Sequence, residues 1–192
     1  MKAIAVYCGA SPGADPFYAE AARGLARVLV ARNIGLVYGG GKVGLMGVIA
    51  DEVLRLGGEA TGVIPRALLE REVGHTGLTR QFVVKDMHER KAMMLDLADG
   101  FIAMPGGMGT LEELFEMVTW AQLGIHAKPI GLLNANGFWN GLSAFVGHMV
   151  EQGFVRPAHA GLLMIEADPD ALVARLQSAA PSRADERPEP LV

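Results

Sequence analysis

The chain has 192 residues, enough for one domain with a substantial core, and 51% of its residues are hydrophobic. Its formal net charge is -4 and its basic residues are scattered, so nucleic acid and anionic membrane surfaces are excluded as partners. The single cysteine, Cys8, allows no internal disulfide, and no stretch has the roughly 20 apolar residues of a membrane helix. We therefore expect a cytoplasmic protein.

Short apolar runs alternate with longer amphipathic stretches along the chain. The runs that predict buried strands are residues 3–7, 35–38, 60–64, 81–84, 100–104, 130–133 and 162–165. The stretches that predict helices are residues 17–32, a segment ending near 56, 86–98, 114–121, 138–152 and a segment opening at 168 and 169. This order predicts a single α/β domain over residues 1–180, with a Rossmann-like, doubly wound parallel sheet of about seven strands and helices on both faces.

A glycine-rich turn follows the second predicted strand and contains the pattern G-x-G-x-x-G at Gly39, Gly41 and Gly44. A dinucleotide site is disfavoured, because that pattern normally follows the first strand of its unit and because Glu59 precedes its strand. We interpret the turn as a second phosphate or nucleotide cradle in which Gly40, Gly41 and Gly44 contact the ligand. The alternative is a turn whose glycines serve close packing only.

An irregular segment over residues 65–79 is expected to cover the ligand crevice. After the next strand, Asp86 and Glu89 have the spacing of a capping box. Arg90 and Lys91 follow in the opening turns of that helix, where cations oppose the helix dipole. A ligand phosphate would explain their placement, and solvated surface charge is the alternative.

The chain is organised around residues 105–113, with the sequence PGGMGTLEE, between a predicted strand and a predicted helix. Glycines and a helix N-terminus make an anion cradle, and carboxylates directly behind it (Glu112, Glu113 and Glu116) indicate chemistry on a phosphorylated molecule. A purely structural alternative is a capping box of Thr110 and Glu113. Against it, Glu116 lies on the helix face of the other two carboxylates, where each like-charge pair costs about 0.2–0.5 kcal/mol.

Several other chemistries are disfavoured by missing patterns. The five histidines have no metal-ligand spacing, and neither G-x-S-x-G nor a P-loop is present. We therefore expect no metal and no cofactor.

Three blocks, residues 38–47, 87–91 and 105–113, together resemble the Lonely-guy (LOG) family, the cytokinin riboside 5′-monophosphate phosphoribohydrolases. The resemblance spans residues 3–178. It implies hydrolysis of the N-glycosidic bond of N6-modified AMP, with plain AMP as the competing substrate, to give free base and ribose 5-phosphate. It also implies that Arg90 and Glu113 are the catalytic pair. Many members of the family carry the label "lysine decarboxylase", but no lysine here has a recognisable pyridoxal-phosphate setting.

The resemblance further implies a set of substrate-binding residues and a homodimer. With the cradle residues, the substrate-binding set is Gly40, Gly41, Gly44, Glu72, Lys91, Gly106, Gly107, Gly109, Thr110, Glu112, Glu116 and Thr119. A different class stays open, namely a nucleotide-binding or molybdenum-cofactor-carrier-like protein without catalysis, although a carrier has no use for Arg90 and Glu113. The proline-rich, charged residues 181–192 are expected to form a disordered tail.

Overall fold

The computed structural model describes residues 1–69 and 74–180, in which strands and helices alternate. The strands are β1 (Ala3–Tyr7), β2 (Gly35–Tyr38), β3 (Ala60–Pro65), β4 (Arg80–Val84), β5 (Phe101–Ala103), β6 (Ile130–Leu133) and β7 (Leu163–Glu166). The helices are α1 (Phe17–Ala31), α2 (Gly44–Arg55), α3 (Arg66–Leu69), α4 (Met87–Leu97), α5 (Met108–Gln122), α6 (Asn140–Glu151), α7 (Pro157–Ala160) and α8 (Pro169–Ala179), with a 3-10 turn at Ala135–Gly137.

All the strands pair in parallel in one sheet of seven, in the order β4-β3-β2-β1-β5-β6-β7. The chain winds outward from β1 to β4 and then returns to the other side of β1 to continue through β5, β6 and β7. This is the predicted doubly wound fold, and its winding direction switches between β1 and β5. In open parallel sheets, ligands bind beyond the carboxyl ends of the strands at such a switch point.

The central strand is buried on both faces, as its continuous apolar sequence predicts. Ile4 and Val6 pack into one hydrophobic cluster with residues of α1, α2 and α8, whereas Ala5 and Tyr7 pack into a second cluster with residues of α4 and α5. Alternate residues of one strand therefore serve two layers of helices. This arrangement fixes the ends of β1 and β5 rigidly beneath the crevice.

Two short helices were absent from the sequence interpretation. Helix α3 occupies the start of the segment over residues 65–79 that we expected to be irregular, and α7 precedes β7. Each is a single turn, too short for a periodic apolar pattern to show. The predicted tail over residues 181–192 and the candidate Glu72 lie outside the described residues. Within the described ranges, none of the helices has the length and apolar character needed to cross a membrane.

Candidate active site

A cavity of about 550 Å³ opens at the switch point between β1 and β5. The loops that follow β1, β5 and β6 contribute to its lining, as do the first turns of α1, α2, α4 and α5. Seven of the predicted site residues line it: Arg90, Gly106, Gly107, Gly109, Thr110, Glu112 and Glu113. The fold thus brings the predicted catalytic pair and the predicted anion cradle to one hollow.

The cradle is formed by the turn after β5 and the start of α5. Gly107 is the N-cap residue of α5 and provides no side-chain cap, so no side chain competes for the first backbone N–H groups of the helix. A Cβ added at Gly107 or at Gly109 would meet no atom within 4 Å, which shows that the turn faces open space. The donors and the dipole of α5 are therefore available to an anion.

The structural alternative, a capping box of Thr110 and Glu113, does not form. Helix α5 begins at Met108, so Thr110 lies inside its first turn rather than at the N-cap. A Cβ at Gly106 would lie only 2.1 Å from Thr110 Oγ1, which indicates that the threonine packs closely against the turn. The carboxylate of Glu113 lies beside the guanidinium of Arg90.

Arg90 of α4 and Glu113 of α5 form a buried ion pair at the cavity wall. Arg90 Nη2 lies 3.2 Å from Glu113 Oε1, and the two residues are 6% and 7% exposed. Arg90 Nη1 lies 3.7 Å from Met87 Sδ, and Arg90 Nε has no hydrogen-bond partner within the described part of the chain. A buried guanidinium with donors to spare is suited to bind an oxygen-rich ligand.

The first turns of α4 are held by the predicted cap. Asp86 Oδ1 accepts a hydrogen bond from Glu89 N at 3.0 Å, and Glu89 Oε2 accepts one from Lys85 N at 2.7 Å. The cap of Asp86 is confirmed, whereas Glu89 reaches one residue further back than a capping box requires. This doubly fixed turn sets the point on α4 from which Arg90 projects.

Lys91 lies behind the catalytic pair, between the carboxylates of Glu112 and Glu116. Its Nζ hydrogen-bonds to Glu112 and lies 2.9 Å from Glu116 Oε2, while its side chain is 4% exposed. Burial lowers the pKa of Lys91, but the hydrogen bonds and charges of the two carboxylates outweigh burial and raise it overall. Lys91 is not among the residues that line the cavity. The carboxylates of Glu112 and Glu116 thus explain the buried position of the Lys91 ammonium. The ammonium in turn offsets the repulsion expected between the carboxylates on α5.

The glycine turn after β2 is filled by other parts of the protein. Gly40 and Gly44 have positive φ angles of 76° and 60°. A Cβ at Gly40 would lie 3.2 Å from Ile64 Cβ, and one at Gly44 would lie 2.3 Å from the carbonyl carbon of Ala10. Gly41 forms an isolated bridge with Gly74. The geometry favours the close-packing alternative, because none of these three glycines of the turn lines the cavity.

The N-terminus of α2 is likewise occupied by protein. Leu45 N donates a hydrogen bond of 3.0 Å to Gly9 O in the loop after β1. One of the donors that a phosphate would use at this helix start is therefore engaged. This contact also favours packing over phosphate binding at the turn after β2.

Two further predicted residues are separated from the cavity in different ways. Thr119 is exposed on α5, and its Oγ1 donates a hydrogen bond of 2.7 Å to Phe115 O one turn earlier. It is not part of the cavity lining. Glu72 lies outside the described residues, so its role stays a prediction.

An apolar part of the wall was missed by the sequence analysis. The side chains concerned are Tyr18, Leu45, Met46, Leu68, Met87 and Phe138. They come from five separate elements or loops, so no local spacing could reveal them together. Tyr18 and Phe138 meet edge to face with ring centroids 5.9 Å apart. These side chains give the cavity a surface suited to a planar, apolar group.

Two titratable groups near the pair stay protonated. Burial, reinforced by the Glu113 carboxylate, raises the pKa of the Cys8 thiol and of the Tyr7 phenol. A thiol must ionise to act as a nucleophile. Cys8 is therefore unsuited to covalent catalysis, and the carboxylate of Glu113 is the better placed reactive group.

A larger cavity, of about 750 Å³, lies at the amino ends of β5, β6 and β7 and contains none of the predicted site residues. His126 and Lys128 contribute to its lining, but His126 Nε2 is hydrogen-bonded to Met117 O and Lys128 Nζ donates to Leu95 O. These side chains hold the loop between α5 and β6. The cavity at the switch point is the candidate active site.

Comparison with known proteins identifies the family of the chain. A family model described as "Possible lysine decarboxylase" matches residues 46–176. The cytokinin riboside 5′-monophosphate phosphoribohydrolase LOG7 of Arabidopsis thaliana is 48% identical over 181 residues, which are 94% of this chain and 83% of that protein. LOG1 of the same plant is 47% identical, again over 94% of this chain and over 85% of its own length.

Among solved structures, the Moco carrier protein from Chlamydomonas reinhardtii has a TM-score of 0.69 and 19% identity, with 92% of this chain and 96% of that chain covered. That likeness shows the fold alone. The sequence identity to the plant proteins extends over nearly the whole chain and includes the segment that carries Arg90 and Glu113. The chain therefore belongs to the family of the cytokinin riboside 5′-monophosphate phosphoribohydrolases, the LOG family.

Proposed function

We propose that this protein hydrolyses the N-glycosidic bond of N6-modified AMP, with plain AMP as the competing substrate, to release the free base and ribose 5-phosphate. One observation carries the proposal: the buried pair of Arg90 and Glu113 faces the same cavity as the uncapped N-terminus of α5. The names of the plant relatives, at 47% and 48% identity, support the same reaction.

The cradle would hold the 5′-phosphate. Gly107 and Gly109 leave open space at the start of α5, so the backbone N–H groups there can approach the phosphate oxygens closely. Thr110, at the third position of the helix, adds a hydroxyl to this end of the cavity. A phosphate fixed here places the rest of the nucleotide along the wall that carries Arg90 and Glu113.

Cleavage requires that C1′ of the ribose tolerate positive charge. When the C1′–N9 bond breaks, its electron pair leaves with the base, and the sugar becomes oxocarbenium-like until water adds to C1′. Glu113 suits this step in either of two ways, by stabilising the positive charge or by accepting the proton of the attacking water. The guanidinium of Arg90, whose Nε has no partner within the described residues, would hold the phosphoribosyl oxygens in place.

The apolar wall would receive the base. Met46, Leu68 and Met87 line the cavity, and thioether side chains adapt readily to ligands of irregular shape. An N6 substituent of hydrocarbon character would bury apolar surface there, worth about 25 cal/mol per Å². This supports a preference for the N6-modified nucleotide over AMP.

We also propose a homodimer that forms through α6. None of the residues of this helix is buried, although Leu142, Phe145, Val146 and Met149 give it an apolar sequence. Phe145 is 57% exposed, and Phe154, which follows the helix, is 85% exposed. An apolar face of this kind is typical of an interface.

The cytoplasmic location stays a prediction that rests on the single cysteine.

The oligomer is tested by light scattering on the unmodified protein and on Phe145→Asp, with Ser143→Asp as an exposed control on the same helix. We expect a dimer for the unmodified protein and for the control, and a monomer for Phe145→Asp. A monomeric unmodified protein would overturn the proposed dimer.

The reaction is tested by chromatography after incubation with AMP and, separately, with N6-isopentenyl-AMP. Free base and ribose 5-phosphate from the second nucleotide, at a higher rate than from AMP, is the expected result. Intact nucleotides in both incubations, with binding still measurable, would favour the carrier alternative and overturn the enzymatic proposal.

A further inference from the structure

The guanidinium of Arg90 lies against the backbone at Gly39, the residue that follows β2. A Cβ placed on Gly39, the residue after the last residue of β2, would lie 2.1 Å from Arg90 Nη2 and 3.2 Å from Arg90 Cζ. Real Cβ atoms essentially never approach another heavy atom within 3.0 Å. The observed position of the guanidinium is therefore available only when residue 39 is glycine.

The backbone conformation does not explain the glycine. Gly39 is absent from the glycines with positive φ, unlike Gly40 and Gly44 in the same turn. The atoms that a methyl group would meet are the end of the Arg90 side chain and Met46 Sδ, at 3.2 Å, rather than backbone. Alanine is thus compatible with the local fold, and the side chain of Arg90 is the part that must move.

The direction of that movement matters for the site. Arg90 Nη2, the atom closest to Gly39, is also the atom that lies 3.2 Å from Glu113 Oε1. Arg90 lines the cavity, so the guanidinium has space on the substrate side into which it can be displaced. Displacement by about 1 Å of a group that positions a substrate can reduce the rate about 100-fold.

We infer that Gly39 is a positioning residue for the reaction proposed above, because it provides the space in which Arg90 Nη2 meets Glu113. This positioning role rests on the proposed function. The contact with Arg90, and not a bound phosphate, therefore explains why the first residue of the G-x-G-x-x-G pattern is glycine. The other glycines of the turn serve the packing of the loop, whereas Gly39 serves the catalytic pair.

The test is a double-mutant cycle of Gly39→Ala and Arg90→Ala, with Gly35→Ala as the matched control. Gly35 begins the same strand, and a Cβ there would meet its nearest atom, Lys2 O, at an ordinary 3.6 Å. We expect kcat/KM for N6-isopentenyl-AMP to fall about 100-fold in Gly39→Ala and to stay within about twofold in Gly35→Ala. In the Arg90→Ala background, Gly39→Ala should have no further effect, because no guanidinium is left to displace.

A crystal structure of Gly39→Ala separates this inference from the proposed function. An Arg90 Nη2 to Glu113 Oε1 distance beyond about 4 Å supports the positioning role even if the unmodified protein cleaves no nucleotide. An unchanged distance overturns it. If the unmodified protein is active, the inference is also overturned when Gly39→Ala and Gly35→Ala have the same kcat/KM. It is overturned as well when Gly39→Ala lowers kcat/KM by the same factor in the Arg90→Ala background as in the unmodified protein.

Discussion

Two glycine-rich turns follow strands of the same sheet, and they differ in what fills the space above them. Above the turn after β2, a Cβ at Gly44 would collide with backbone atoms of Ala10 and Ser11 at 2.3–2.5 Å. Above the turn after β5, Gly107 and Gly109 face open space. Both turns have the composition of a phosphate loop, yet of these two turns, within the described residues, only the second has glycines that line the cavity. Glycine content alone therefore does not identify a ligand site.

The difference arises from the neighbours of each turn. The loop after β1 crosses the start of α2 and accepts the hydrogen bond of Leu45 N. Within the described residues, no backbone carbonyl of another loop accepts a hydrogen bond from the first N–H groups of α5. Replacing a glycine that is required by packing should lower the free energy of unfolding. Replacing a glycine that faces the ligand should weaken nucleotide binding. The following variants test that distinction, from the largest expected effect to the smallest.

Glu113→Gln should have the largest effect on the reaction. The amide keeps the size of the side chain but can neither accept a proton nor stabilise a cation as a carboxylate does, so kcat should fall about 1,000-fold. Isothermal titration with AMP should still detect binding, because the cradle at the start of α5 is unchanged. Near-normal kcat would show that Glu113 does not act in the chemical step.

Gly44→Ala should destabilise the fold by about 2–5 kcal/mol, from backbone strain at positive φ together with crowding against Ala10. Urea unfolding measures the loss, and activity should fall only with the folded fraction. Gly57→Ala is the control, because Gly57 also has positive φ but a Cβ there would meet nothing within 4 Å. It should cost only the strain, about 1 kcal/mol. Equal losses in the two variants would remove the packing explanation.

Gly109→Ala, in the turn after β5, should weaken substrate binding without destabilising the fold. Gly109 lies in the first turn of α5, so alanine should stabilise the helix, by up to about 1 kcal/mol. Its methyl group would project into open space that we assign to the phosphate, and KM should rise about tenfold. A more stable protein with a weaker affinity distinguishes this turn from the one after β2. An unchanged KM would mean that the phosphate binds elsewhere.

Lys91→Met should have the smallest effect on activity, because Lys91 contacts Glu112 and Glu116 rather than the cavity. The folded pKa of Lys91 is raised above its ordinary value of 10.5, so its stabilising contribution is fully present below about pH 10.5 and is lost as the pH rises through the folded value. The difference in unfolding free energy between the unmodified protein and Lys91→Met should therefore shrink above about pH 10.5. A large rise in KM at neutral pH would instead assign Lys91 to the substrate.

Much of the fold followed from local patterns in the sequence. The apolar runs of strand length gave the strands, and a residue such as Asp86 or Asp168 gave a helix start, because an N-cap depends only on the next few residues. The same spacing at Thr110 and Glu113, which offered a cap as an alternative, is not used as one, because the helix begins earlier, at Met108. Local spacing can show that a cap would fit, but the point at which the chain leaves β5 decides whether it is used.

The candidate site was predictable only in part, for the same reason. Arg90 and Glu113 were predicted as the catalytic pair through the resemblance, whereas the pairing of Lys91 with Glu112 and Glu116 on another helix could not be read from local spacing. The apolar wall, with Tyr18 and Phe138, is assembled from distant segments and carries no signal in the sequence.

The sequence by itself determined the alternation of strands and helices, the parallel sheet and the family, because hydrophobic periodicity and motif spacing are properties of neighbouring residues. Only the tertiary structure decided which glycine turn is open, where the guanidinium of Arg90 rests and why residue 39 has no side chain. Those outcomes depend on which atoms occupy the space beside a residue, and that space is filled by segments far away in the chain.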